Sequence, residues 1–530
     1  MGPTLRILCV NDVYSLENLP RLATLLRHNT LNAPAAKTLI TLAGDFCAPS
    51  LLSGLDAGRG MMDCLNALDV THLSLGNHED DIPTDELHRR IAEFRGTWLS
   101  TNVRGFDDNL VVNQVIEIGR VRVGLVGVVM DDPSAYRRPP FGAAPVTPPN
   151  ATAIAEAEML MRERGCACVI PLTHQSVADD RELMRLNESR VSPLSPLFPI
   201  ILGGHEHTVF LEQLGRTWLV KAGADAEHAI VADLTWPEEK PASGPDFPSV
   251  QIRLENTAAY AEDAAMRARV DGHMQKVLEL EHATLVALKP GELLSSVGTR
   301  VRQTSLGTRI CSRIRDALGA DCCLINGGGI RANRDYPHRF TYADLKAELP
   351  FDNQVVVARL PGSVIRDAIV ASRARAPAES GGFLQVDNGM RIEEGTNRAL
   401  EIGGMPIIDG RDYRVALVRN LFSGMDHQEP LLRFAQKNPA LIPPEESGRD
   451  IKQVLVESFS IALWKQLGGF DQVDANHDGV VTEEELAQAI SRVAEDAPSA
   501  LAAHLVMHAL DRNHDQTLSR EEAAAAEEEP

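Results

Sequence analysis

Short apolar runs, most of which end in a cluster of polar residues, recur through the first half of the chain and restrict its fold more than any other feature. Between residues 5 and 235 they alternate with polar, helix-forming segments, which is the pattern of a layered α/β domain. The runs cover residues 6–10, 38–43, 70–75, 121–130, 167–173 and 200–202. The polar clusters read ND, GD, GNH, TH and GHEH. Because open α/β sheets place ligands at the carboxyl ends of strands, the clusters predict one shared site.

The polar clusters contain carboxylate, amide and imidazole groups, which suit metal binding. Mixed ligands of this kind favour borderline divalent ions such as Mn, Zn, Co or Fe. Two ions about 3.5–4 Å apart need one bridging carboxylate and terminal ligands on each side. A single cluster is more often an ordinary polar turn, but the ordered series at strand ends favours a metal site. The candidate ligands are Asp12, Asp45, Asn77, His174, His205 and His207.

Charge and composition limit the classes of partner and location. The net charge of −22 argues against a nucleic-acid polymer as partner. Because no apolar stretch reaches about 18 residues, no membrane span is predicted. An apolar strand begins by about residue 5 with no secretory leader before it, so we expect a cytoplasmic protein, with secretion left open if the N-terminus is incomplete. The eight cysteines show no disulfide or thiolate-zinc spacing, which predicts reduced, mostly buried thiols.

Composition and pattern divide the chain into four segments. A stretch rich in Pro, Ser and charge at 237–249 and a helical stretch at about 258–284 separate two α/β regions. Residues 466–530 carry fifteen Asp/Glu against three Lys/Arg and hold most of the net charge. The predicted segments are an α/β domain over 1–236, a linker and connecting helix over 237–285, a second α/β domain over 286–465 and a helical tail over 466–530.

Two sets of motifs resemble known families. The ordered series ND, GD, GNHE, TH and GHEH is similar to the calcineurin-like metallophosphoesterases. The motifs QTSLGTRI, INGGGIRAN, TYADLKAELPFDN and GGFLQV resemble the second domain of the 5′-nucleotidase/2′,3′-cyclic phosphodiesterase family. The two sets cover about residues 4–465. The resemblance implies a four-layered α/β metallophosphoesterase sandwich, joined by a long helix to a smaller α/β domain of the nucleotidase type.

The resemblance also implies roles for the candidate ligands. It assigns one metal site to Asp12, Asp45 and His207, and a second site to Asp45, Asn77, His174 and His205, with Asp45 bridging. The first family motif has histidine where this chain has Tyr14. A phenolate at that position would favour trivalent iron, whereas a neutral phenol would leave the first site weaker. The identity of the metal therefore stays open.

The resemblance implies that His78 is catalytic and that Asp81 orients it. An imidazolium can protonate an alkoxide, which is a poor leaving group. A carboxylate bound to the far ring nitrogen fixes the tautomer and raises the basicity of the ring. The two acids between them, Glu79 and Asp80, are interpreted as solvated groups or as acids at a helix start.

A nucleotide needs cationic groups for its phosphate and an aromatic face for its base. The resemblance assigns the phosphate to Arg300 and Arg331 and the base to Phe351 and Phe422. It adds Asn326, and Asp426 as the acceptor for a ribose hydroxyl. For Phe351 the alternative is packing in the core. The loop NLFSGMDH that contains Phe422 is one residue shorter than the family pattern, which leaves one-sided stacking or a non-nucleotide phosphoester as alternatives.

The acidic tail contains two loops with calcium-ligand spacing. The segment DANHDGVVTEEE, 474–485, matches the EF-hand loop, and DRNHDQTLSREE, 511–522, repeats it with Gln516 in place of the turn glycine, which predicts weaker binding. The loops start 37 residues apart, which predicts an all-α EF-hand pair. The predicted Ca²⁺ ligands are Asp474, Asn476, Asp478, the Val480 carbonyl, Thr482 and Glu485, followed by Asp511, Asn513, Asp515, Thr517, Ser519 and Glu522.

The expected function is hydrolysis of nucleotides, of the 5′-nucleotidase type, at a dinuclear metal centre. Regulation by Ca²⁺ and a partner protein bound by the EF-hand pair are further hypotheses. Cyclic nucleotides, nucleotide sugars and non-nucleotide phosphoesters are alternative substrates. A different class also remains open, namely a calcium-responsive binding protein that keeps a degenerate phosphoesterase domain as a scaffold.

Overall fold

The computed structural model divides into two compact units, Met1–Gln275 (unit 1) and Lys276–Pro530 (unit 2). The residues that it describes are 2–31, 37–136, 139–189, 197–239, 246–280, 284–351, 353–444, 447–494, 500–511 and 517–528. Within these ranges no helix combines the length and the apolar character that a membrane crossing requires.

Unit 1 is built on two six-stranded sheets. Its strands are β1 (Thr4–Val10), β2 (Lys37–Ala43), β3 (His72–Ser74), β4 (Thr97–Leu99), β5 (Asn113–Ile118), β6 (Val121–Val129), β7 (Cys168–His174), β8 (Ile200–Gly204), β9 (Val209–Leu214), β10 (Thr217–Ala222), β11 (His228–Thr235) and β12 (Ser249–Asn256). The strand orders are β12-β11-β1-β2-β3-β4 and β5-β6-β7-β8-β10-β9. Strands β1 to β4 run parallel, as do β6, β7 and β8, so their carboxyl ends meet at common edges.

Helices flank the sheets of unit 1. They are α1 (Leu19–Leu31), α2 (Leu51–Asp56), α3 (Arg59–Ala67), α4 (Thr84–Glu93), α5 (Pro140–Ala143), α6 (Pro149–Glu163), α7 (Val177–Ser189) and α8 (Ala264–Leu280). The alternation of side chains along β6 explains the layers: Val123 and Leu125 belong to the core that includes β1, whereas Val126 and Val128 pack with α6. These contacts confirm the predicted α/β class. All eight cysteines are free and buried, as predicted.

Helix α8 covers the middle of the helical stretch that the sequence predicts at 258–284. It begins at Ala264 because the preceding Asp263 accepts a hydrogen bond from the Met266 backbone N–H at 2.9 Å, which satisfies one free donor of the first turn. It starts in unit 1 and ends in unit 2.

Unit 2 contains a five-stranded sheet in the order β19-β15-β23-β18-β24. Its strands up to residue 450 are β13 (Thr284–Ala287), β14 (Leu294–Ser295), β15 (Cys322–Asn326), β16 (Asp335–Tyr336), β17 (Arg339–Thr341), β18 (Gln354–Pro361), β19 (Leu384–Val386), β20 (Arg391–Ile392), β21 (Ala399–Ile402), β22 (Met405–Pro406), β23 (Asp412–Val418) and β24 (Arg449–Asp450). The helices are α9 (Ser305–Ala317), α10 (Tyr342–Glu348), α11 (Gly362–Arg373), α12 (Glu429–Lys437) and α13 (Ile451–Gln466). This unit is a second α/β fold, as predicted.

The acidic tail folds into helices joined by a short ladder. Its elements are α14 (Phe470–Val473), β25 (Val480–Val481), α15 (Glu483–Ala494), α16 (Ala500–Leu510), β26 (Leu518–Ser519) and α17 (Arg520–Glu528). Strands β25 and β26 pair antiparallel. The tail shares one hydrophobic core with Leu463 and Trp464 of α13. Helix α13 therefore runs through the predicted boundary at 465/466 because its last turn is part of the tail's core.

Candidate metal centre

Asp12, Asp45 and His174 form a buried cluster at the carboxyl ends of three strands. Asp12 follows β1, Asp45 follows β2 and His174 ends β7. One ligand atom from each residue lies within 4.8 Å of the others. Both aspartates adopt a left-handed backbone, with φ of 53° and 56°, which short polar side chains tolerate better than larger ones. The cluster therefore has the composition and spacing of a metal site.

Glycines next to the ligands allow the strand ends to approach so closely. A Cβ at Gly44 would collide with the His174 ring, and a Cβ at Gly76 would collide with the Asp45 carboxylate. A Cβ at Gly204 would collide with the Ala43 carbonyl. Any larger residue at these positions would push the ligands apart.

The other predicted ligands lie around this cluster. The His205 backbone N–H donates to Asp12 Oδ2 at 2.9 Å, and the His205 ring contacts the His174 ring with centroids 5.4 Å apart. His207 Nε2 lies 3.8 Å from Asp12 Oδ1, and its side chain is partly exposed. Asn77 follows Gly76, whose backbone contacts Asp45. The structure thus brings all six candidate ligands to one edge of unit 1.

Two details show that this donor set fits a metal ion. Asn77 Oδ1 is buried, and no described residue donates a hydrogen bond to it, which costs about 1–3 kcal/mol unless another partner is present. His174 Nδ1 lies 2.9 Å from the Ala43 carbonyl. Because a carbonyl only accepts, Nδ1 carries the hydrogen, which leaves Nε2 as the atom that the neutral ring can offer to a metal ion. Nε2 lies 3.0 Å from Asp45 Oδ2.

The two buried carboxylates of the cluster favour a positive charge beside them. Burial raises the pKa of Asp12 to about 7, a rise that His174 opposes and Asp45 increases. Burial also opposes ionisation of Asp45, but His174 and His78 outweigh it and hold the pKa of Asp45 below its usual range. Burial lowers the pKa of His174, and the two carboxylates overcome this and raise it to about 10. A divalent ion would supply the positive charge and displace this proton.

His78 and Asp81 form a hydrogen-bonded pair beside the cluster. They are the first and last residues of a 3₁₀ helix, His78–Asp81, in which side chains three residues apart lie on the same side. His78 Nδ1 donates to Asp81 Oδ2 at 2.7 Å. The His78 backbone N–H donates to Asp45 Oδ1 at 2.9 Å. The pair is therefore fixed to Asp45, the aspartate that follows β2.

Of the two interpretations of Glu79 and Asp80, the solvated one is wrong, because both residues are buried, whereas both do lie in the first turn of the 3₁₀ helix. The Glu79 carboxylate accepts hydrogen bonds from four backbone N–H groups, at Gly76 (2.5 Å), Asp45 (2.9 Å), Phe46 (2.7 Å) and Cys47 (3.2 Å). Burial and the Asp45 charge raise the pKa of Glu79 to about 7, and the backbone hydrogen bonds oppose the rise. The sequence around Glu79 does not indicate this role, because the donors at Asp45, Phe46 and Cys47 lie 32 to 34 residues away in the chain.

Lys221 of β10 is a structural residue that the sequence pattern does not reveal. Its ammonium is fully buried and lies 2.8 Å from Asp180 Oδ2 and 2.5 Å from Glu206 Oε2. It also donates to the Gln175 and Gly204 carbonyls at 2.8 and 2.7 Å. Burial lowers the pKa of Lys221, but Asp180 and Glu206 raise it overall. Lys221 thereby connects the segments that follow His174 and contain His205.

The predicted substrate residues lie in unit 2, where several of them meet. Asn326 Nδ2 at the end of β15 donates to Asp426 Oδ2 at 2.6 Å. A Cβ at Gly328 would lie 2.6 Å from the same oxygen, so the glycine loop and Asp426 are in close contact. The Arg331 guanidinium lies 5.6 Å from the Phe351 ring centroid, and Phe351 is 48% exposed. An exposed ring argues against the core-packing alternative for Phe351.

Two further substrate candidates differ in their accessibility. Arg300 is partly exposed. Its carbonyl accepts a hydrogen bond from the Ser380 N–H at 3.0 Å, and the next residue, Gly381, contacts Asp426. Phe422 is only 3% exposed. The 3₁₀ helix Arg419–Ser423 buries Leu421 and Phe422, so the face of the Phe422 ring is not available to a base, contrary to the stacking role that the sequence suggests. The exposed apolar residue of this loop is Met425.

The first loop of the tail is closed by its own ligand candidates. Glu485 Oε2 accepts from the Thr482 backbone and hydroxyl, both at 3.0 Å. Its Oε1 accepts from the Asn476 N–H at 3.2 Å. Asp474 Oδ2 accepts from the Gly479 N–H at 3.1 Å, and Gly479 has a φ of +89°, which explains the glycine there.

The second loop of the tail is described only in part. Asp511 and Glu522 are buried at its two ends. The Ser519 hydroxyl donates to Glu522 Oε2 at 2.6 Å, as the Thr482 hydroxyl does to Glu485 in the first loop. Thr517 precedes β26, whereas the predicted ligands Asn513 and Asp515 lie outside the described residues.

The chain is similar to known proteins over most of its length. Residues 284–432 match the protein family described as 5′-nucleotidase, C-terminal domain. The protein UshA of Yersinia enterocolitica is 23% identical over 422 residues, which cover 69% of this chain and 76% of that protein. The 5′-nucleotidase of Vibrio parahaemolyticus is 23% identical over 481 residues, or 76% of this chain and 81% of that protein. The human 5′-nucleotidase is 23% identical, with 71% and 70% covered.

Solved structures share the fold. The NAD nucleotidase of Haemophilus influenzae has a TM-score of 0.65 at 16% identity and covers 86% of this chain and 95% of its own. A 5′-nucleotidase precursor from Thermus thermophilus has a TM-score of 0.52 at 20% identity, with 86% and 96% covered. The chain is thus similar to 5′-nucleotidases over most of its length, and its residues 284–432 match their C-terminal domain family.

Proposed function

We propose that the protein is a metal-dependent phosphoesterase that hydrolyses nucleotides and releases phosphate from a 5′-nucleotide. The buried cluster of Asp12, Asp45 and His174 beside the His78–Asp81 pair carries this proposal. The similarity to 5′-nucleotidases supports the substrate class.

Two ions are assigned to the cluster. We assign one to Asp12, Asp45 and His207, and the other to Asp45, Asn77, His174 and His205. Divalent ions at such a site polarise a phosphoryl oxygen and lower the pKa of water into the neutral range. The buried, unsatisfied Asn77 Oδ1 and the tautomer of His174 support the assignment.

His78 would act on the leaving group. With Nδ1 donating to Asp81, the other ring nitrogen, Nε2, can hold a proton for the departing alkoxide oxygen. Asp81 stabilises the charged ring and fixes its orientation, and the backbone bond to Asp45 keeps this pair next to the metal ligands. The chemistry requires this arrangement because an unprotonated alkoxide is a poor leaving group.

Unit 2 would bind the nucleoside and part of the phosphate. We assign Arg300 and Arg331 to phosphate oxygens, Asn326 and Asp426 to polar groups of the nucleoside, and Phe351 to the base. With Phe422 buried, Phe351 is the exposed aromatic residue of this set, which favours one-sided stacking. Weaker selection among bases follows, and nucleotide sugars or cyclic nucleotides are further substrates to test.

The acidic tail would bind Ca²⁺ through the loops at 474–485 and 511–522. The closed first loop, with buried Asp474 and Glu485 at its ends, supports this proposal. Asp474 Oδ1 is buried and has no hydrogen-bond partner among the described residues, which suits an ion ligand.

Phosphate release from 5′-nucleotides, cyclic nucleotides and nucleotide sugars tests the proposal. We expect turnover with Mn²⁺, loss of turnover on chelation and a decrease in kcat of about 10²–10⁴-fold in His78→Ala. His88→Ala is the matched control, because His88 pairs with Asp107 at 2.6 Å in the same unit but lies outside the cluster. Absence of metal-dependent turnover for every substrate would refute the enzyme, and Ca²⁺ binding without turnover would favour the scaffold alternative.

A further inference from the structure

The phenolic oxygen of Tyr14 lies among atoms assigned to one metal ion. It is 3.1 Å from Asp45 Oδ2, 3.1 Å from His207 Nε2 and 3.4 Å from Asp12 Oδ1. These three atoms come from the ends of β1 and β2 and from the segment after β8. Tyr14 is therefore the fourth group that converges on this position.

The spacing matches neighbouring ligands of a single ion. Ligand atoms about 2.0–2.2 Å from a metal lie about 2.9–3.6 Å from each other in tetrahedral or octahedral arrangements. The three distances from Tyr14 fall in this range. Hydrogen bonding explains them less well, because a phenol has one hydrogen and cannot satisfy both carboxylates at once.

The backbone holds Tyr14 in place. The N–H groups of Tyr14 and Ser15 both donate to Asp225 Oδ1 at 2.9 Å, and the Val13 N–H donates to the Asp45 carbonyl at 2.9 Å. The ring lies edge-on to the His207 ring, with centroids 5.3 Å apart. The position of the oxygen is thus fixed by the same turns that place the aspartates.

We propose that Tyr14 is a direct metal ligand, through its phenolic oxygen, of the ion held by Asp12, Asp45 and His207. The inference rests on the proposed function. When the ion binds, the O–H bond breaks, the proton passes to solvent and an oxygen–metal bond forms. Three anionic ligands at one ion favour a hard, highly charged metal, so this position selects Fe³⁺ more strongly than a carboxylate and imidazole set would.

Spectroscopy of the iron-loaded protein tests the ligand directly. We expect the Fe³⁺ protein to show a visible tyrosinate-to-iron charge-transfer band and tyrosinate ring modes in resonance Raman spectra, both absent from Tyr14→Phe. Tyr260→Phe is the matched control, because the Tyr260 hydroxyl donates to Glu255 in the same unit but outside the cluster. A band of equal intensity in Tyr14→Phe would overturn the proposal.

Titration with Mn²⁺ gives a second readout that does not depend on iron uptake or on activity. We expect the metal-free wild type to bind two ions, and Tyr14→Phe to bind one of them at least about tenfold more weakly. Tyr14→His, which restores a ligand atom, should recover the lost affinity. If a folded Tyr14→Phe protein binds both Mn²⁺ ions with wild-type affinity, Tyr14 is not a ligand, and this result leaves the proposed function intact. A wild type that neither binds metal nor turns over substrate would instead refute the proposed function.

Discussion

Glu79 connects the ligand turns without contacting substrate in the proposed mechanism. A carboxylate offers four lone-pair positions, which matches the four backbone donors that it accepts from residues 45–47 and 76. The turns cannot move apart without breaking several of these bonds. We therefore interpret Glu79 as the residue that keeps the ends of β2 and β3 together.

Replacing Glu79 with glutamine should destabilise unit 1. One carboxylate oxygen becomes an NH₂ group that faces backbone donors, so we expect Glu79→Gln to lower the free energy of unfolding by about 1–3 kcal/mol. Denaturant unfolding followed by tryptophan fluorescence measures the change. In Glu117→Gln the substituted side chain is exposed and pairs with Arg122, so a change within about 0.5 kcal/mol is expected. Equal stability of the two variants would contradict this role for Glu79.

At the residue scale, the sequence predicts the candidate metal ligands better than it predicts the residues that hold them in position. Asp12, Asp45 and His174 stand out because polar groups directly follow apolar strands. Glu79 and Lys221 do not stand out, because their partners are backbone groups or acids that are distant in sequence. Phe422 is the opposite case, because the sequence match selects it as an aromatic residue of the substrate site but carries no information on whether its ring is exposed, and the ring is buried.

At the element scale the loop at 474–485 is a closed unit between α14 and α15. Glu485, the last ligand position of the loop, lies in the first turn of α15 and accepts four hydrogen bonds from within the loop. Strand β25 pairs with β26 of the second loop, so the two loops share one ladder. The D-x-N-x-D-G pattern predicts the first loop and its turn glycine, but it carries no information on the core beneath.

Glu485→Gln should weaken Ca²⁺ binding at the first loop by at least about tenfold, because the loop loses one ligand charge and one bidentate group. A calorimetric Ca²⁺ titration measures the affinity. Glu484→Gln removes the same charge one position earlier on α15 and should leave the affinity within about twofold, since position 484 is not a ligand position of the loop. Similar losses in both variants would indicate that net charge, and not coordination, controls binding.

At the scale of the whole molecule, the candidate site residues divide between the two units. The candidate metal cluster lies in unit 1 and the candidate nucleoside residues lie in unit 2. The alternation of strands and helices was sufficient to predict two α/β regions. It could not predict that α13 packs on α9 and β17 through Ser458 and Phe459 while its last turn enters the tail's core.

Because α13 belongs to both cores of unit 2, we expect Ca²⁺ to protect it from hydrogen exchange together with the tail. A ligand that binds only the folded state stabilises the segments that fold with its site. Hydrogen exchange measured by mass spectrometry, with and without Ca²⁺, should show slower exchange for the amides of α13 in the wild type. The same amides should not respond in Glu485→Gln. Protection confined to the tail in the wild type would show that the tail unfolds separately.

The glycines beside the ligands bear on how this centre can be detected in other sequences. A Cβ at Gly44, Gly76 or Gly204 would enter space that is already filled. The atoms in the way belong to the His174 ring, the Asp45 carboxylate and the Ala43 carbonyl, respectively. A substitution at any of these glycines is excluded by volume, whatever the metal or the substrate. A sequence signature for this geometry should therefore weight the glycines before Asp45, Asn77 and His205 as heavily as the candidate ligands themselves. A chain that keeps the acids and histidines but loses these glycines is not expected to assemble the centre.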